Sequence, residues 1–280
     1  MITSMFQYEF LQNAFLTGII IGALAPLLGV FVVVRRQSLI ADALSHVTLA
    51  GIAFSLFLEK KFFNALGGLN PLYMGMTFAT VGALFIERLR AVYKHYQDLA
   101  IPIIMSGGIG ITVIFISLAD GFNTDLFSYL FGSVSAVSRT DLYIILAVAL
   151  IVLFCIIFLY KELFLLSFDE DHAKASGLPA KQIHFIFIVL VALVIASSMR
   201  IVGVLLVSAL MTLPVAASMR FARGFKNMII YSVLFGEISV VGGLFLSFYL
   251  DLAPGGTIVM IAIAILLAAI GFKKLKFRTS

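Results

Sequence analysis

Long stretches without a charged residue constrain the fold of this chain more than any other feature. Most of them reach the ~20 residues that an α-helix needs to cross the hydrocarbon core of a bilayer. The runs are continuously apolar and do not alternate between apolar and polar residues, which excludes a membrane β-barrel. They cover residues 10–34, 43–58, 62–86, 101–119, 142–159, 183–199, 201–219, 227–250 and 252–272, interrupted only by Glu237.

The sequence therefore predicts an all-α polytopic membrane protein with about nine transmembrane helices. Eight is the alternative, because only Arg200 separates the runs 183–199 and 201–219. A composition of 62% hydrophobic and 12% charged residues excludes a soluble globular domain. No linker or low-complexity tract divides the chain, so residues 1–280 are expected to form a single transmembrane domain.

The basic residues predict the orientation of the chain in the membrane. Every second connection is the richer in Lys and Arg, apart from Lys60 and Lys61, and such connections stay in the cytoplasm. The amino terminus is therefore expected outside and the carboxyl terminus inside, and the net charge of +5 is attributed to cytoplasmic loops, not to nucleic-acid binding. The basic connections contain Arg35–Arg36, Arg88–Lys94, residues 160–182, Arg220–Lys226 and the tail from Lys273.

Asp42 and His46 are two ionisable residues at the start of the second run. Their spacing places both on one face of a helix, at a cost of about 2.5–3.5 kcal/mol for an ionised group near the bilayer centre. A carboxylate and an imidazole suit zinc, manganese or ferrous iron. One helix supplies two of about four ligands, and a two-fold dimer would supply the others. In the alternative interpretation Asp42 only favours the helix amino terminus and holds His46 by a hydrogen bond.

The remaining ionisable residues receive weaker predictions. Glu237 is expected to make a structural polar contact with a neighbouring helix, for instance with a Ser or Thr, or to lie on a transport pathway. His184 is expected at the cytoplasmic surface, and His95 and His172 are expected in cytoplasmic loops. None of the three histidines is assigned a metal.

Two of the connections between spans are predicted to contain short helices. Residues 120–141 are expected to form a short helix or a re-entrant element that caps the outer face. In the connection 160–182, the acidic Asp169-Glu170-Asp171 would start a short helix, where the helix dipole favours negative charge. Ala173 lies within this helix, and Gly177 would end it.

Several long motifs, which together span nearly the whole chain, resemble one family of membrane proteins. The stretch "RRQSLIADALSHVTLAGIAF" is similar to the signature of the ABC permeases that import zinc, manganese or iron. The other motifs follow in the same order: "LFSYLFGSVSAVSRTDL", "FDEDHAKASGLP", "VGVLLVSALMTLPVAASMR" and "GLFLSFYLDLAPGGTIVM". The similarity is closest to the zinc permeases of Gram-positive bacteria, of the adhesin-competence type, because Ala50 replaces the proline usual in manganese-type members.

The resemblance implies a fold like that of the type II importers and a location in the bacterial plasma membrane. Asp42 and His46 match the metal-coordinating pair. Residues 168–179, with Asp169, Glu170, Ala173 and Gly177, match the coupling helix that docks on the ATPase. The family works as two permeases with two cytoplasmic ATPases, fed by an extracellular metal-binding lipoprotein. The transported ion would be zinc, with no permanently bound cofactor and no enzymatic activity of the permease itself.

Three other functions are alternatives to zinc import, and the sequence offers less support for the second and third of them. The same architecture could import manganese or iron, since both zinc and manganese accept an Asp and a His ligand. A secondary ion-coupled carrier would need more ionisable residues in several helices. An intramembrane metalloenzyme would need a ligand motif such as H-E-x-x-H, which the sequence lacks.

Overall fold

A computed structural model describes residues 8–61, 70–93, 95–119 and 124–278. Lys94, the first part of the run 62–86, and residues 120–123 of the predicted cap lie outside the described residues. All regular elements within the described ranges are helices, which confirms the all-α prediction. They are α1 Glu9–Val34, α2 Leu39–Lys61, α3 Pro71–Val92, α4 Ala100–Leu118, α5 Thr124–Phe131, α6 Arg139–Phe158, α7 Tyr160–Phe168, α8 Glu170–Ala175, α9 Ala180–Val202, α10 Val204–Ser218, α11 Phe225–Leu250 and α12 Pro254–Arg278.

Eight of the described helices are long and apolar enough to cross a membrane, namely α1–α4, α6, α9, α11 and α12. The chain is a multi-pass membrane protein, and the count of eight is the better of the two predicted counts. The remaining run forms α10, which has only 15 residues. Helices α1, α2 and α9 are mostly buried within the bundle, whereas α4 and α12 present most of their apolar surface outward, as lipid-facing helices do.

The break between α9 and α10 was predicted at Arg200, and that position is wrong. Helix α9 continues through Arg200 to Val202, and the chain turns at Gly203, whose φ of 83° favours a residue without a side chain. The third span is also shifted relative to the run 62–86. It starts at Pro71, where the Asn70 side chain accepts a hydrogen bond from the Leu72 amide at 3.1 Å.

The helices run alternately between two ends of the bundle, here called the α5 end and the α8 end after the short helices found there. At the α5 end, the predicted capping element is present as helix α5. Gly132 follows it with a φ of 80°, and the Ser133 amide donates to the Arg200 carbonyl at 2.9 Å. Helix α5 therefore packs directly on the α9–α10 break.

A buried ion pair holds the α5 end together. Asp141 is fully buried and pairs with Arg200, and it also accepts hydrogen bonds from Asn70 Nδ2 at 2.9 Å and Ser138 Oγ at 2.7 Å. Arg200 Nε donates to the Tyr129 hydroxyl at 3.0 Å. This network joins α3, α5, α6 and α9. Arg200 is therefore a structural anchor and not the position of a helix break.

Asp141→Asn tests the weight of this anchor, because it leaves the Arg200 guanidinium without its buried counter-charge. We expect a loss of about 3–5 kcal/mol in the free energy of unfolding. The matched control is Glu9→Gln, which breaks an exposed ion pair with Arg139 at the same end of the bundle and should cost less than about 1 kcal/mol. Thermal unfolding in detergent measures both variants, and equal destabilisation would contradict the anchor.

Candidate metal site

Asp42 and His46 lie on a partly exposed strip of helix α2. Asp42 is in the first turn of the helix, which begins at Leu39, and His46 is one turn further into the bundle. Both side chains are partly exposed, whereas the neighbouring residues 43–45 and 48–53 are buried. The pair therefore lies at the edge of the buried surface of α2 and not in the core of its own chain.

The buried residues of α2 include two hydroxyl groups that are satisfied within the helix. Ser45 Oγ donates to the Ala41 carbonyl at 2.8 Å, and Thr48 Oγ1 donates to the Leu44 carbonyl at 2.6 Å. These hydroxyls therefore do not donate hydrogen bonds to Asp42 or His46. The two ionisable side chains are left with no hydrogen bond or ion pair to any residue in the described ranges, and the hydrogen bond of the alternative interpretation is not formed.

The described part of one chain does not complete a metal site around the pair. Within the described residues, no group of three or more His, Cys, Asp and Glu side chains is close enough to hold one ion. Asp42 and His46 together offer a carboxylate and an imidazole, which is half of a four-ligand set. A metal ion held by this pair would need further ligands, such as water, another molecule or a second copy of the chain.

Gly108 of α4 brings a second helix against the backbone that carries the pair. A Cβ added at Gly108 would lie 2.9 Å from the Val47 amide nitrogen and 3.1 Å from the His46 carbonyl carbon. The first distance is shorter than real Cβ atoms show and the second is tight, so an approach of α4 this close to α2 favours a glycine. Helix α4 therefore fixes the position of His46 along the bundle.

Glu237 lies apart from the pair, in the middle of α11. It is the thirteenth residue of that helix and faces Gly22 of α1, where an added Cβ would lie 3.3 Å from the carboxyl carbon. Its carboxylate is partly exposed and has no hydrogen-bonding or charged partner among the described residues, so the predicted contact with a Ser or Thr is not seen.

His184 is not at the surface, and this prediction is wrong. It is buried near the start of α9, with Nε2 at 2.7 Å from Arg90 Nη1 and 3.0 Å from Glu87 Oε1. The apolar run 62–86 ends before Glu87 and Arg90 and so predicts that they lie in a loop. Helix α3 instead continues to Val92 and brings both side chains to α9. His95 and His172 are exposed; His95 lies in the connection after α3, as predicted, whereas His172 lies within a short helix.

The connection 160–182 contains two helices, where one was predicted. Helix α7 buries Leu163 and Leu166 and was missed because its apolar residues are too few for a span. The predicted helix is α8, capped by the Asp169 carboxylate, which accepts from the His172 amide at 2.8 Å. Gly177 ends it with a φ of 81°.

Helix α8 presents charged side chains outward and one small residue inward. Ala173 is fully buried, whereas Glu170 and Lys174 are exposed and form an ion pair at 2.8 Å. The hydrogen bond from the Lys174 ammonium holds the pKa of the Glu170 carboxyl below its usual value. The helix is thus a charged projection packed on α7 and α9.

With this geometry in place, comparison with known proteins shows the family. The ABC 3 transport family matches residues 7–273, and the chain belongs to it. A "probable metal transport system membrane protein" of Treponema pallidum is 35% identical over 266 residues, which are 95% of this chain and 96% of that protein. The chain is accordingly an ABC transporter permease.

Relatives named for two different metals are about equally similar. The manganese transport system membrane protein MntC of Listeria monocytogenes is 34% identical over 95% of this chain and 91% of its own length. The high-affinity zinc uptake system membrane protein ZnuB of Haemophilus influenzae is 32% identical over 91% of this chain and 94% of its own.

A solved structure agrees with the fold. PsaBC from Streptococcus pneumoniae, in complex with Fab, contains a chain that superimposes with a TM-score of 0.83 at 34% identity. The match covers 96% of this chain and 93% of that chain.

If Asp42 and His46 bind a metal, Gly108→Ala should weaken that binding and keep both side chains, because the added methyl group pushes α4 away from the backbone of His46. We expect the affinity for zinc and manganese to fall on the order of tenfold, measured by calorimetry on the purified protein. Gly110→Ala is the control in the same helix, since nothing lies within 4 Å of its added Cβ. An unchanged affinity in Gly108→Ala would show that the approach of α4 does not position the pair.

Proposed function

We propose that this chain is the membrane permease of an ABC importer for a divalent transition metal, and that Asp42 and His46 bind the metal as it crosses. The observation that carries the proposal is the unpaired state of the two side chains on a partly exposed face of a membrane helix. Two ionisable groups are costly at this depth unless something compensates them. A divalent cation in transit is the compensation that fits a carboxylate and an imidazole.

A second copy of the permease completes the site in this proposal. A two-fold axis beside the exposed strip of α2 would bring two Asp42 and two His46 side chains together. Four ligands of this kind suit zinc or manganese. Because each subunit contributes only two of them, a small separation of the two copies would weaken the site and release the ion.

Zinc and manganese are both candidates for the transported ion. The replacement of proline by Ala50 favours zinc, whereas relatives named for manganese and for zinc are similarly close. The ligand types accept both metals. Uptake measured for each metal decides between them.

The energy for transport comes from a separate ATPase in this proposal. Helix α8 would dock on that subunit, which places the α8 end of the bundle in the cytoplasm and the amino terminus of α1 outside. A metal-binding lipoprotein would deliver the ion at the α5 end. The capped, charged projection formed by α8 and the family membership support this arrangement. A secondary carrier would instead import metal without ATP.

Asp42→Ala and His46→Ala should each abolish metal uptake, since each removes half of the ligands that the chain offers. The measurement is ATP-dependent uptake of radioactive zinc and manganese into proteoliposomes that contain the permease, its ATPase and its lipoprotein. Asp98→Ala and His95→Ala remove the same residue types from exposed positions and should leave uptake unchanged. Normal uptake in either α2 variant, with the ATPase still bound, would refute the metal role.

Gly177→Val should uncouple ATP hydrolysis from uptake, because a β-branched residue is strained at a φ of 81° and would displace the end of α8. Gly177→Asn is the matched control, since asparagine tolerates this left-handed conformation. We expect the valine variant to lose most metal uptake per ATP hydrolysed and the asparagine variant to keep it. Equal coupling in both would exclude the docking role of α8.

A further inference from the structure

An open cleft of about 500 Å³ lies at the α8 end, between α7 and the start of α11, away from Asp42 and His46. Two basic residues, Arg223 and Lys226, line one side of it, and Tyr160 and Phe164 line the other. Arg223 and Lys226 are exposed and make no ion pair within the described part of the chain. The cleft therefore combines uncompensated positive charge with an aromatic wall.

The backbone adds further positive potential to the same cleft. Helix α11 begins at Phe225, and its N-cap, Gly224, offers no side chain to accept hydrogen bonds from the first amides. No acidic residue lies in the first turn of this 26-residue helix. The free amides and the helix dipole thus point toward the space that Arg223 and Lys226 line, as at other anion-binding sites.

The position of the cleft, at the end of a membrane helix, indicates where the anion comes from. Tyr160 is two residues beyond the end of the membrane helix α6, whose last turns carry the strongly exposed apolar residues Phe154, Ile157 and Phe158. The aromatic wall is rigid, since Phe164 packs edge-on against Phe225 with ring centroids 5.0 Å apart. A ligand here meets water and basic groups on one side and hydrocarbon on the other.

We propose that this cleft binds the phosphate headgroup of an anionic phospholipid such as phosphatidylglycerol. Arg223, Lys226 and the first amides of α11 hold the phosphate, and an acyl chain follows the exposed apolar surface at the end of α6. The proposal rests on the proposed function only for placing the α8 end at the cytoplasmic leaflet. A soluble anion would not need the apolar side of the cleft, and the ATPase is expected on α8 instead.

The test measures lipid binding directly and does not depend on metal transport. The permease with its ATPase is placed in nanodiscs of phosphatidylcholine containing a small fraction of spin-labelled phosphatidylglycerol. The double variant Arg223→Gln/Lys226→Gln should lower the relative affinity for phosphatidylglycerol on the order of 30-fold, since each basic side chain near an anionic headgroup contributes about a factor of five. Millimolar inorganic phosphate should not displace the bound lipid.

The control Arg88→Gln/Lys181→Gln removes the same charge from exposed residues at the same end and should have little effect on lipid affinity. Equal loss in both double variants would show only a general attraction of basic loops, and would overturn the site. Displacement by phosphate would assign the cleft to a soluble anion. Loss of the ATPase from Arg223→Gln/Lys226→Gln, with lipid binding unchanged, would make the cleft a protein contact.

Discussion

The cost of an ionisable group inside a membrane is the constraint on which the interpretation of this protein depends. The chain handles it in two ways. At the α5 end Asp141 is fully buried and is compensated by Arg200, Asn70 and Ser138, so it stabilises the bundle. Asp42 and His46 have no such compensation within the described residues and lie on a partly exposed strip. The contrast separates a structural charge from one available to a ligand, and it is the reason why we propose a metal-binding role for the pair on α2.

The surroundings of the pair follow the same logic. The buried side of α2 carries small residues whose hydroxyls bond within the helix, and Gly108 lets α4 lie against the backbone at His46. The pair is therefore positioned by close helix packing and not by polar contacts to its side chains. In the proposed importer, this leaves the carboxylate and imidazole free to exchange the metal when the two copies move, and α8 provides the separate contact through which ATP hydrolysis drives that movement.

Three features of the fold could be predicted from local signals in the sequence. Long apolar runs predict the spans, capping residues predict the short helix at Glu170–Ala175, and helical periodicity places Asp42 and His46 on one face of α2. The buried polar contacts of Arg200 and His184 could not be predicted. A local pattern places the helix break at the charged Arg200. It cannot reveal the backbone conformation of Gly203 or the ion pair with Asp141, which lies 59 residues away in the sequence. His184 was placed at the surface for the same reason: its neighbours Glu87 and Arg90 reach it only through the length of α3. The roles of Asp169, Glu170, Ala173 and Gly177 in coupling, and of Glu237, remain predictions.

The stoichiometry and ligand set of the bound metal test the central proposal most directly. X-ray absorption spectroscopy on the zinc-loaded importer, arrested with an ATPase that binds but does not hydrolyse ATP, would report the ligands, and elemental analysis would report the metal content. The two-copy site predicts one zinc per two permease chains, with two imidazole nitrogens and carboxylate oxygens around it. One zinc per chain, or a single imidazole per zinc, would contradict it.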